Sequence, residues 1–152
     1  MSQFVTQPFF GVELTAIKII PNDNGDILHA LKATESSFNS FGEAYFSIIH
    51  QGKRKGWKKH TRMILNVVVP VGEIGFVLFD DRPESLTQGK FYGVKISRKN
   101  YVRLTVSPGI WMAFYGEGQG ENMLLNIASI PHDPSESENL PLINDYINYS
   151  WL

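Results

Sequence analysis

The sequence predicts an all-β domain, a sandwich or barrel of about nine to eleven short strands. Three observations carry this. Turn residues recur about every ten positions. The segments between them are short and rich in β-branched and aromatic residues. No stretch holds a convincing helical period over the length of an ordinary helix. At 152 residues the chain is one domain, 1–152, long enough to bury a real core.

The elements follow in order. Glu13–Ile20 reads as strand, and Pro21-Asn22-Asp23-Asn24-Gly25-Asp26 as a strong turn. Ile27–Lys32 returns as strand and Ser36–Gly42 is a loop. Glu43–His50 is a strand that puts Tyr45, Ser47 and Ile49 on one face. Gln51-Gly52 turns into a basic strand. Met63–Val69 is a buried strand closed by Pro70 and Gly72, and Glu73–Phe79 is the next. Asp80-Asp81-Arg82-Pro83 breaks it, since proline disfavours a continuing ladder. Phe91–Ile96, Arg103–Val106, Ile110–Tyr115 and Asn122–Ile130 complete the set. The polar stretch Pro131–Leu142 leads to Ile143–Leu152, a short C-terminal helix or tail.

The formal net charge of -1 gives no global pull toward nucleic acid or an anionic membrane. There is no cysteine, which excludes disulfides and thiolate chemistry and is compatible with a reducing cytoplasm. The N-terminus lacks the pattern of a secretion signal, and no apolar run reaches the ~18 residues of a membrane span.

Charge is concentrated in Lys53–Arg62, where six of the fourteen Lys and Arg residues stand in K-R-K-G-W-K-K-H-T-R. The most apolar run of the chain follows at once. If the basic stretch is extended, Lys58, His60 and Arg62 point one way and Trp57, Lys59 and Thr61 the other. Three cationic groups on one face repel unless they share an anion. The stretch is therefore either a pocket wall for phosphate or carboxylate, or a basic edge strand on which Lys blocks edge-to-edge pairing.

Other motifs say less. G-E-G-Q-G-E (Gly116–Glu121) lies between two strands, with no helix N-terminus to hold a phosphate, and reads as a hairpin loop. His29, His50, His60 and His132 show no metal-ligand spacing, so no metal is expected. No G-x-S-x-G elbow occurs. Asp80 and Asp81 would face opposite ways, which is wrong for shared acid–base work.

Four segments resemble one family. Gln51–His60 is similar to the strand of dTDP-4-dehydrorhamnose 3,5-epimerases that carries an R-G-L-H pattern. Val67–Arg82 resembles that family's next hairpin. Ile96–Phe114 resembles its P-P-G segment, and Asn126–Pro134 its Y-Y-D-P segment. The resemblance runs in order from about Ile17 to Trp151. It implies a cupin-type double-stranded β-helix, or jelly roll, in a homodimer with exchanged N-terminal strands; Phe4–Val12 is the strand on offer here. It implies a nucleotide-linked 4-keto sugar as ligand, no cofactor and no metal. In that family a His paired with an Asp removes a proton next to a ketone, a Lys stabilises the enolate, and a Tyr is the acid on the opposite face.

Carried onto this chain, the family's His falls on Lys58, its Tyr on Asn126, its second pocket His on Met112 and its phosphate-gripping Arg on Lys55. Its Asp lies beyond Leu152. The expected catalytic set is therefore His60 as base, with Lys58 and Arg62 stabilising the enolate or the diphosphate. Substrate contacts are expected from Lys55, Trp57, Asn66, Met112, Phe114 and Asn126. The expected activity is epimerisation or isomerisation of a nucleotide-linked keto sugar for surface polysaccharide, in the cytoplasm. Non-catalytic sugar or nucleotide binding is the alternative, and a metal-dependent cupin a third reading.

Overall fold

The structure is a computed structural model that describes residues 4–151. Five strands open the chain: β1 (Val5–Phe9), β2 (Val12–Ala16), β3 (Ile19–Ile20), β4 (Ile27–Leu28) and β5 (Glu43–Ile49). The middle holds β6 (Arg54–His60), β7 (Leu65–Val71), β8 (Glu73–Asp80) and β9 (Phe91–Ser97). The last four are β10 (Val102–Val106), β11 (Ile110–Gly116), β12 (Asn122–Ala128) and β13 (Ser137–Asn139). A single 3-10 turn, Pro134–Glu136, is the one helical element among the described residues.

Two antiparallel sheets face each other in a jelly roll. One has six strands in the order β1-β2-β10-β7-β12-β5, the other five in the order β13-β6-β11-β8-β9. Alternation along β7 and β8 fills the space between them. Leu65, Val67 and Val69 point inward from one sheet, and Ile74, Phe76 and Leu78 from the other, into one continuous core.

The outer faces are covered too, which is why these strands read as unbroken apolar runs rather than alternating ones. Val68 packs outward with Ile17 and Tyr101 under the β3–β4 ribbon. Val77 packs outward with Trp57, Trp111, Ala113 and Ile147 under the C-terminal segment. That segment is an ordered tail, not a helix; of Ile143–Leu152 only Leu152 lies outside the described residues. The tail is tied down by side chains: Asp81 Oδ2 accepts from Trp111 Nε1 and from Tyr146 Oη, each at 2.8 Å.

The basic strand β6 is not an edge. It lies between β13 and β11, and β13 comes from the stretch expected to be irregular. Lysines that guard a free edge have no task there. Three-residue β13 is possible because Asp133 caps the preceding 3-10 turn, its carboxylate accepting from the Ser135 N–H at 3.0 Å.

Candidate functional site

A cavity of about 220 Å³ opens between the two sheets. Its floor is apolar, made by Leu65, Val67, Ile110, Met112, Phe114 and Leu124. Most of its polar groups come from two walls. The β6 wall supplies Lys55, Lys58 and His60; the β5 and β12 wall supplies Tyr45, Ser47 and Asn126.

Simple alternation would put Lys55 on the same face as Trp57. It does not hold, because β6 carries one extra residue opposite β11: Met112 pairs with Lys58, yet Phe114 pairs with Lys55. The extra residue falls at Gly56-Trp57. Gly56 has φ +133°, and a Cβ there would lie 2.6 Å from Ala113 Cβ. The bulge brings Lys55 round to the cavity beside Lys58 and His60. Lys55 Nζ then reaches across to β5, donating to Ser47 Oγ (3.2 Å) and the Ile48 carbonyl (2.8 Å).

His60 is held by a partner that the sequence did not single out. Its Nδ1 donates to Glu136 Oε1. The Glu136 side chain is 1% exposed. Its other oxygen accepts from the Arg62 and Met63 N–H groups, each at 3.2 Å. Burial alone would raise this carboxyl's pKa, but the hydrogen bonds from the ring and the two N–H groups outweigh burial and hold it below its ordinary value. The ion is therefore the resting form. It fixes the ring with Nδ1 protonated, leaving Nε2 as the basic nitrogen.

Charge balance separates the two faces of β6. Outward Lys59 is paired with Asp81 (3.4 Å) and Glu138 (3.2 Å). Inward Lys58 and Lys55 have no carboxylate partner among the described residues. Two uncompensated cations beside an apolar floor give this wall a local positive potential.

Three expected residues stand elsewhere. Arg62 does not join Lys58 and His60, because β6 ends at His60 and the chain bends. Its side chain is 60% exposed and pairs with Asp133 at 3.0 Å. Trp57 borders the cavity, but its indole packs on the outer face against Tyr149 and Trp151 and donates to the Leu142 carbonyl. Asn66 points outward from β7 and satisfies Arg103 Nε (3.0 Å), Thr105 Oγ1 (2.6 Å) and the Ser37 carbonyl (3.1 Å). Met112, Phe114 and Asn126 do line the cavity. Among the described residues no three His, Asp or Glu side chains gather as a metal site.

No protein-family model matches the chain. A solved dTDP-sugar isomerase from Desulfovibrio desulfuricans is 36% identical, superposes with a TM-score of 0.92, and is matched over 97% of this chain and 94% of its own. The chain belongs to the family of dTDP-sugar isomerases and dTDP-4-dehydrorhamnose 3,5-epimerases. The probable low-salt glycan biosynthesis epimerase Agl13 of Haloferax volcanii is 24% identical over 144 residues, 92% of each chain. The Legionella pneumophila epimerase RmlC, solved with dTDP-4-keto-L-rhamnose, shares the fold at a TM-score of 0.82 and 18% identity, over 93% of this chain and 79% of its own. The chain keeps the jelly roll, and the carboxylate bound to His60 is that of Glu136, in the turn before β13.

Proposed function

We propose that this protein epimerises or isomerises a nucleotide-linked keto sugar in the synthesis of a surface polysaccharide, by removing a proton from a carbon next to the ketone. The observation that carries the reading is the His60–Glu136 pair, set on a cavity wall beside two unneutralised lysines. His60 Nε2 takes the proton, and the Glu136 carboxylate keeps the ring in the right tautomer and offsets the imidazolium charge. The electron pair passes into the ketone, and Lys58, two residues away on the same face, stabilises the enolate oxygen.

The cavity, at about 220 Å³, is smaller than the ~300–1,000 Å³ that takes a drug-sized ligand. The sugar ring enters, and the diphosphate stays at the mouth near Lys55. A lysine there is a point charge, not the two-pronged grip of an arginine, which favours looser recognition of the diphosphate.

Purified protein incubated in D₂O with a dTDP-linked 4-keto-6-deoxy sugar is expected to place deuterium on a carbon next to the ketone. His60→Ala is expected to stop it. Absence of carbon-bound deuterium with every such sugar, despite a thermal shift on binding, would favour the second reading. That reading is a binding protein without turnover. It is supported by Asn126, an amide that cannot donate a proton usefully, at the position of the family's Tyr.

A homodimer fits the free edge of β1, where Phe4 and Val5 are 73% and 39% exposed. Among the described residues no helix is long and apolar enough to cross a membrane. A cytoplasmic location suits a cysteine-free chain that acts on an activated sugar.

A further inference from the structure

The geometry points to Lys58 as a covalent catalyst: its Nζ condenses with the sugar ketone, and His60 removes the neighbouring proton from the iminium that forms. The inference rests on the function proposed above. There Lys58 faces the ketone oxygen as a charge; here the contact becomes a bond.

Three lysines stand on β6, and their surroundings differ. Lys59 lies between Trp111 and Glu138 on the neighbouring strands. Its Nζ is 4.9 Å from the Trp111 ring centroid, 3.2 Å from the Glu138 carboxylate and 3.4 Å from that of Asp81. Burial alone would lower its pKa, but the two carboxylates outweigh burial and raise it. Lys55 donates to Ser47 and to the Ile48 carbonyl, with its Nζ 5.9 Å from the Phe114 ring centroid. Half-buried Lys58 lies between Met112 and Asn139, both uncharged. Among the described residues its Nζ has no hydrogen bond, no ion pair and no aromatic face.

A structural lysine is tied down as an ammonium, as Lys59 is. An amine that adds to a ketone needs the reverse: apolar surroundings, another cationic group nearby and no carboxylate. Lys58 meets all three conditions. Met112 of the apolar floor is its cross-strand neighbour, and Lys55 shares its wall. The spacing also suits the chemistry. His60 is two residues on, about 7 Å along the strand and on the same face. The flexible lysine stem lets Nζ reach the ketone carbon while His60 Nε2 faces the hydrogen on the carbon beside it.

The step balances. The Lys58 ammonium and the ketone lose water and form a protonated imine, with one positive charge before and after. The neighbouring C–H bond then breaks, and His60 Nε2 takes the proton. The C–H electrons form a C=C bond while the C=N pair moves onto nitrogen, giving a neutral enamine. Return of a proton to carbon restores the iminium, and water releases the ketone and Lys58. The nitrogen already carries the charge that draws the electrons, so the covalent route needs no donor at the ketone oxygen.

Two signals test for a bond at the ketone carbon. Wild-type protein, Lys58→Arg and Lys58→Ala are given a dTDP-linked 4-keto-6-deoxy sugar, and thermal melting confirms that each variant folds. Sodium cyanoborohydride reduces an iminium. With it, wild type is expected to gain the mass of the sugar nucleotide less one oxygen, mapped by peptide digestion to Lys58 and not to Lys55 or Lys59. With ¹⁸O in the ketone, wild type in D₂O is expected to lose the label at least as fast as deuterium enters the carbon. A lysine acting by charge alone leaves the label at the enzyme-free rate. Lys58→Arg keeps the charge but has no amine to condense, and with Lys58→Ala is expected to lose deuterium incorporation by about 10²-fold or more. Deuterium incorporation by wild type with no adduct on Lys58, or with the label retained, overturns the inference and leaves the proposed function standing. So does folded Lys58→Arg exchanging within about tenfold of wild type. If wild-type protein incorporates no deuterium, the proposed function fails and the inference with it.

Discussion

Glu136→Gln isolates the contribution of one negative charge while leaving the shape of the site unchanged. The Arg62 and Met63 N–H groups, both 3.2 Å from Oε2, accept only an oxygen opposite them. The new amide must therefore put its oxygen there and its NH₂ toward His60 Nδ1. Donor then meets donor unless the ring moves its proton to Nε2. That nitrogen is the one left to the cavity, and once protonated it cannot act as a base. Losing general-base catalysis predicts a fall in kcat of about 10²–10⁴-fold, or about 3–5 kcal/mol. Replacing charged by neutral hydrogen bonds predicts a stability loss of about 1–2 kcal/mol, seen as a Tm lower by about 2–8 °C in a domain of this size. Deuterium incorporation into the keto sugar is the assay, with Glu136→Asp beside it. The shorter carboxylate preserves the tautomer and should recover part of the rate. If Glu136→Gln is folded and turns over within a few-fold of wild type, the tautomer argument is wrong.

Arg62→Ala should leave kcat and KM within about twofold and Tm unchanged, because the side chain lies in solvent outside the cavity. Gly56→Ala should destabilise by about 2–4 kcal/mol in urea unfolding, since φ +133° is strained for alanine and its Cβ meets Ala113. Stability should also fall on acidification. Burial alone would raise the pKa of Asp80, but hydrogen bonds from Arg82, Ser85 and Thr87 outweigh it and place the folded-state pKa far below the ordinary value. Such a group stabilises fully above its unfolded pKa of about 4, and the contribution is lost as pH falls toward the folded one. Glu136 acts in the same direction. Asp80→Asn should flatten the acid side of a urea-midpoint profile between pH 7 and pH 3; an unchanged slope would refute the assignment.

Strand positions were legible because apolar composition and turn chemistry are local. Tyr45, Ser47 and Ile49 share a face as alternation requires, with Ile49 in the core and the other two at the cavity. Small elements were less so. The run after the Asn-Asp turn yields only two-residue β4, since its next residues leave the ladder and Ala30 instead offers its carbonyl to Arg103. β13 has no apolar pattern at all, for it is three polar residues held by backbone pairing to β6 at the end of the sheet.

The site was legible where it depends on alternation and obscure where it depends on register or on distant pairing. Lys58 and His60 came out together because they are two apart on one strand. Arg62 fell outside because the strand stops at His60, and Lys55 came inside through a bulge that no periodicity encodes. Glu136 is 76 positions from His60, and its S-E-S-E-N setting gives it no more prominence than Glu138, which lies on β13 with its side chain exposed. What separates the two is the inward turn at Pro134–Glu136, which buries one carboxylate against two backbone N–H groups and leaves its neighbour beside Lys59. The same sorting of charge bears on the two readings of the basic stretch. An edge guard would leave its lysines unpaired toward solvent; here outward Lys59 is neutralised, and inward Lys58 is left for whatever enters the cavity.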